Sequence, residues 1–145
     1  MVYKLNEQKE FNFNEITLGQ KDSFEIVITE SMVNDFAKIS GDYNQLHMDE
    51  NYAKSTKLEK RICHGMLLAS FFSKLVGMLL PGKNSLYFSQ SLNFQNPCFI
   101  GDMVTVEGEV FEKSEATKMI SLNTKITNKQ GKCLVDGITK IIIRD

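Results

Sequence analysis

The stretch GMLLASFFSKLVGMLL, from Gly65 to Leu80, constrains the fold more than any other part of this chain. It is 16 residues long and its one charged side chain is Lys74. A membrane span needs roughly 20 apolar residues, so the run is too short to cross a bilayer and reads as a helix buried in protein. At 1.5 Å per residue it would extend about 24 Å, enough to cross a small domain. It is apolar on nearly every face, so other structure must surround it.

The rest of the chain has to supply that surround. Phe24, Ile26 and Ile28 alternate with Glu25, Val27 and Thr29, the period of a short strand. TESMVNDFAKISGD predicts a helix. Thr29 or Ser31 can cap its start, and Glu30 suits the positive end of the dipole. Met32, Val33, Phe36 and Ile39 share one face, and Gly41 is a natural stop. Asp49 to Lys54 predicts a short second helix with Asp49 as its cap. Beyond Pro81-Gly82 the chain reads as strands. Leu86, Phe88, Leu92 and Phe94 alternate with polar positions, as do Val104, Val106 and Val110, and then Ile120, Leu122 and Ile126. The last run, CLVDGITKIIIRD, is β-rich but less regular. Turn signals fall at Asn96-Pro97, Gly101-Asp102, EKSEAT and Asn128 to Gly131. Long strands joined by short turns imply an antiparallel sheet. With a helix that is apolar all round, the sheet is expected to wrap around the helix in an α+β architecture. One helix cannot fill a large sheet's inner face and keep its own outer edge dry, which a dimer extending the sheet would solve.

Length and composition narrow the function. The 145 residues suit one domain with one core. The net charge is −1 and the basic residues are dispersed, which gives no nucleic-acid footprint. The opening MVYKLNEQKE has no apolar segment and does not read as a signal peptide. Cys63, Cys98 and Cys133 are odd in number and widely spaced, which fits a reducing cytoplasm better than a disulfide framework.

Three sets of residues could carry chemistry. Asp42, Asn44 and His47, in SGDYNQLH, follow the helix stop and can present side chains inward. An aspartate accepts a proton, a histidine exchanges one near neutral pH, and an asparagine orients a water or a carbonyl. The same residues could instead satisfy turn amides, with His47 merely preceding a helix cap. His64-Gly65 stands at the start of the apolar helix, where backbone N–H groups are unpaired and the dipole is positive. A carbonyl oxygen that gains negative charge would be stabilised there, although Gly65 could equally just relieve crowding. Ser73, inside the helix, could orient a histidine or bond back to its own helix; Ser70 is its rival. Two histidines and three scattered cysteines give no zinc spacing, and no phosphate-binding glycine motif is present. Cys63 beside His64 reads as packing, since adjacent residues rarely face each other.

Together, FAKISGDYNQLHMDENYA and ICHGMLLASFFSKLVG resemble the (R)-specific enoyl-CoA hydratases of the MaoC-like group. The resemblance continues through LPGKNSLYFSQSLNFQNPCFIGDMVTVEGEV and includes the earlier FNEITLGQ. It implies a hotdog fold over residues 1–145, with a long central helix wrapped by an antiparallel sheet, and a homodimer. It implies that Asp42 and His47 are the catalytic pair. Asn44 and His64 would support the site, Gly65 would supply the donor for the thioester oxygen, and Ser73 would orient the catalytic histidine. The implied substrate is an acyl-CoA or acyl-carrier-protein thioester, hydrated without metal or organic cofactor. Many members of the group carry proline where this chain has Gln45. A hotdog thioesterase is a rival reading, but such enzymes often place an acid on the central helix, and Gly65 to Leu80 holds none. A non-catalytic acyl-CoA-binding module is another rival, and it would have no need of the Asp42/His47 pair.

Overall fold

The apolar run does become the central helix, in two parts. The computed structural model describes residues 7–144. Along the chain come β1 (Lys21–Val27), α1 (Glu30–Ser40), α2 (Gln45–Met48), α3 (Glu50–Lys54), α4 (Gly65–Lys74), β2 (Ser85–Gln90), β3 (Asn93–Phe94), β4 (Met103–Ser114), β5 (Met119–Asn128) and β6 (Cys133–Ile143). After Lys74 the helix widens into a π turn, Leu75–Leu79, closed by Leu80 N–H donating to the Leu75 carbonyl at 2.8 Å. Five residues apart, Leu75 and Leu80 would stand about 140° apart on an α-helix. The wider turn narrows that angle, and both side chains are fully buried. The expectation of one regular helix to Leu80 is corrected by this turn.

The strands form one antiparallel sheet in the order β1-β4-β5-β6-β2, with β3 added beside β6. The alternation read from the sequence sets which face looks inward. Val104, Val106, Val110, Ile120, Leu122 and Ile126 are all buried. Leu67, Leu68, Phe72 and Leu75 of the helix pack on the Val104–Val106 end of the sheet. Val76 and Leu80 pack on Val110, Leu122 and Ile141, with Phe13 and Ile16 closing that end. A sheet curled around a central helix is the hotdog arrangement.

Two apolar patterns do not bury as read. Ile39 is 85% exposed, because α1 turns Val33 and Ala37 to the core and leaves Ile39 on its solvent side. Leu86, Phe88 and Phe94 are each more than half exposed. They lie on β2 and β3 at the rim of the sheet, and β2 is irregular between Tyr87 and Ser89. Among the described residues, no helix is long and apolar enough to cross a membrane.

Candidate active site

SGDYNQLH folds as a chain of local caps. Thr29 Oγ1 opens α1 by accepting from Met32 N–H at 3.2 Å, and Gly41 closes it with φ 81°, a conformation that suits glycine. From there the polar side chains accept amides two residues on. Ser40 Oγ takes Asp42 N–H, Asp42 Oδ1 takes Asn44 N–H, and Asn44 Oδ1 takes Leu46 N–H, at 3.0–3.1 Å. The last of these starts α2, so His47 stands on a one-turn helix rather than on an open loop. The turn-amide reading of Asp42 and Asn44 is therefore realised, and it is what presents His47. Asn44 acts on the backbone here. Asp49 caps α3 as read, accepting from Tyr52 N–H at 3.0 Å.

Asp42, His47, His64 and Gly65 line one cavity of about 450 Å³. The remaining wall is largely apolar, from Met66, Leu68, Phe94, Pro97, Cys98 and Val135. One carboxylate oxygen of Asp42 and one nitrogen from each histidine lie within 4.8 Å of one another. Two hydrogen bonds of about 2.8 Å through a single water span such a gap.

The hydrogen bonds assign the tautomers. His47 Nδ1 lies 2.9 Å from the Ile62 carbonyl. A carbonyl only accepts, so Nδ1 carries the proton and a neutral His47 keeps a bare Nε2 lone pair. His64 Nε2 likewise donates to the Asp42 carbonyl at 3.0 Å, which leaves its buried Nδ1 as an acceptor without a partner. The two rings stack at 4.0 Å with 30° between their planes. His47 Nδ1 and His64 Nε2 are each spent on a main-chain carbonyl, so each ring keeps a single nitrogen as an acceptor.

Burial holds the His64 imidazole below the usual histidine range. The charges of His47 and Arg61 add to this, while the Asp42 carbonyl and carboxylate oppose it. The unfolded chain then binds the proton first as pH falls, so stability is full above the unfolded value near 6.5 and declines below it toward the lower folded value. Thermal unfolding followed from about pH 7.5 down to 5 should show that decline. His64→Asn, which keeps a donor but does not titrate, should flatten it; an unchanged slope would contradict the assignment.

Gly65 begins α4, and its N–H precedes any intrahelical acceptor. A Cβ at this position would meet the Phe94 ring at 2.7 Å, so glycine is what lets that ring lie over the helix mouth. Cys63 also lines the cavity, but its surroundings disfavour the thiolate. Its hydrogen bond to Cys98, and then burial, push the thiol well above the usual cysteine range. Ser70 Oγ bonds back to the Leu67 carbonyl at 2.6 Å. Ser73 is not brought to the site. It is exposed on the outer face of α4, and within one chain the bond expected of it is made to His47 by the Ile62 carbonyl. Sequence reasoning missed that carbonyl, Phe94 and Arg61. No sequence signal marks a main-chain carbonyl, and Arg61 hides in the charged run KLEKR.

A sheet-wrapped helix whose N-terminus faces an acid and a histidine defines a class of hotdog protein with its site at the helix mouth. The chain belongs to the MaoC-like family, whose model, described as MaoC like domain, matches residues 13–131. It is 43% identical over 122 residues to the (R)-specific enoyl-CoA hydratase of Aeromonas caviae, covering 84% of this chain and 91% of that protein. It is 39% identical over 108 residues to the 3-hydroxybutyryl-CoA dehydratase of Methylorubrum extorquens, covering 74% and 69%. The solved structure of an unliganded R-hydratase from Pseudomonas aeruginosa superposes with a TM-score of 0.91 at 35% identity, covering 95% of this chain and 88% of that one.

Proposed function

We propose that this protein hydrates trans-2-enoyl thioesters to (R)-3-hydroxyacyl thioesters, reversibly, with Asp42 and His47 acting through a water. The observation that carries the reading is the meeting of three elements on one apolar-walled cavity: a histidine with a bare Nε2, a carboxylate within bridging distance, and a helix-start N–H with no intrahelical acceptor. The names of the relatives supply the substrate class.

The chemistry follows from those groups. Addition of water puts hydroxyl on C3 and a proton on C2. His47 Nε2 takes a proton from the water held between it and Asp42 as the water oxygen bonds to C3. The electron pair of the double bond moves onto the thioester oxygen, where the Gly65 N–H meets the growing charge. The pair then returns a proton to C2. Every atom of the water enters the product, so no oxidant, reductant or cofactor is consumed. One oxyanion donor is worth about 10²–10³ in rate.

The protein acts as a homodimer in this reading. Met66, Leu86, Phe88 and Phe94 are exposed on one chain, and among the described residues the outer edge of β2 has no strand partner. Pairing of two chains there would cover both. Sedimentation should give twice the chain mass, and a monomer at assay concentration would remove this part.

The test is loss of the enoyl-thioester absorbance with crotonyl-CoA and a series of longer enoyl-CoA substrates, with chiral analysis of the product. Turnover to the (R) alcohol is expected, without release of free CoA thiol. Thiol release instead of hydration would establish the thioesterase reading. Absence of turnover at every chain length, with binding retained, would leave a non-catalytic acyl-CoA module.

A further inference from the structure

We infer that Arg61 is the positioning residue for His47, acting through the main chain of α2 rather than through the imidazole. The inference rests on the catalytic reading of His47 above and adds a residue to it.

Arg61 is 8% exposed, and each of its three guanidinium nitrogens makes a hydrogen bond. Nε donates to the His47 carbonyl at 2.6 Å, Nη1 to Glu30 Oε1 at 2.8 Å and Nη2 to Asn34 Oδ1 at 3.2 Å. Glu30 and Asn34 are one turn apart on α1, so a single guanidinium ties α1 to α2. The next residue completes the grip. Ile62 accepts from His47 Nδ1–H at 2.9 Å and donates its N–H to the Leu46 carbonyl at 3.3 Å. Two consecutive residues therefore hold His47 at its carbonyl and at its ring.

This turn needs such a hold. Four residues of helix have no stability of their own, and the carbonyls at the end of a helix lack internal partners. A buried charge is a poor stabiliser beside an apolar residue of equal volume. What the guanidinium supplies, and a methionine cannot, is three donors in one rigid plane. With the His47 carbonyl fixed by Nε, the ring is left one direction in which Nδ1–H meets Ile62, and the bare Nε2 faces the cavity. Without Arg61 the turn can rotate while the fold persists.

A second handle exists at the other end of α2. Gln45 is its first residue, and among the described residues its N–H donates to nothing. Proline is accepted at such a position. Asn44, with ψ 133°, already has the extended backbone that a following proline imposes. Gln45→Pro should thus stiffen the turn without disturbing a bond.

The experiment compares Arg61→Met, Arg61→Lys and Arg61→Met/Gln45→Pro with wild type and His47→Ala. Each is followed by steady-state hydration of crotonyl-CoA and by the imidazole ¹⁵N spectrum of His47. Arg61→Met should lower kcat about 10- to 100-fold, the scale that a displaced catalytic group costs, with KM within about twofold. Lysine should restore little, since an ammonium cannot reach three acceptors in one plane. Gln45→Pro should recover part of the lost kcat. The His47 spectrum should change from one Nδ1–H tautomer to a mixture in Arg61→Met. Wild-type kcat and an unchanged spectrum in Arg61→Met would overturn the inference. So would a loss that proline does not relieve and that leaves the tautomer intact, since that outcome marks a structural role alone. If Arg61→Met does not fold, Asn34→Ala and Glu30→Gln loosen the fork while keeping the arginine. Unchanged kcat and spectrum in both would then overturn it. Full activity in His47→Ala, with a scrambled tautomer in Arg61→Met, would instead remove the catalytic reading and leave the positioning intact.

Discussion

Alanine in place of His47 is expected to lower kcat for crotonyl-CoA hydration by about 10²- to 10⁴-fold, the range a positioned acid–base group contributes. The folded state should survive, because His47 is only partly buried and donates one side-chain bond, to Ile62. Asp42→Asn should cost a similar factor for a different reason. The amide can still accept the Asn44 N–H, so the turn stands, but it carries no charge to hold and polarise the bridging water and no carboxyl proton to hand on to C2. Steady-state kinetics with matched circular dichroism decides both cases. Near-normal kcat in either variant would remove that residue from the chemistry.

The second large effect concerns stability. Phe72 is 1% exposed and lies in the middle of the helix that the sheet surrounds. Phe72→Ala should cost about 3–5 kcal/mol through lost burial and the cavity left behind. For a chain of this size that lowers Tm by roughly 10–15 °C. Ile39→Ala is the control. That side chain is 85% exposed, so its removal should stay within about 0.5 kcal/mol. A comparable loss at both positions would mean that α1 is covered by something outside this chain.

The contrast between Phe72 and Ile39 shows what was legible in the sequence. The central helix could be read because its apolar run is continuous, and β4 and β5 because strict alternation has one outcome on a one-sided sheet. The two uses of the 42–47 turn, caps and chemistry, could be named but not reconciled. Their reconciliation depends on the one-turn helix α2, which is too short to leave a periodic signal. Type and spacing put Ile39 on the apolar face of α1, and Leu86 and Phe88 on the apolar side of an alternating strand. Their exposure is a property of the tertiary arrangement that no local window contains. Ser73 shows the same limit. Its place on the helix could be counted, but the side of the helix that faces His47 could not. Arg61 left no signal at all, because its partners come from α1 and α2, far away in the chain.

The attachment of α2 has one more consequence. The groups that would meet one substrate belong to regions with different opening energies. Gly65 starts a helix packed inside the sheet, whereas α2 is a single turn pinned by Arg61 and Ile62. Segments with few buried contacts exchange their amide hydrogens through local opening, well below the free energy of global unfolding. Amides of α2 should therefore exchange with deuterium long before those of β5. A bound thioester, by bridging the two regions, should slow α2 selectively while leaving β5 at its original rate.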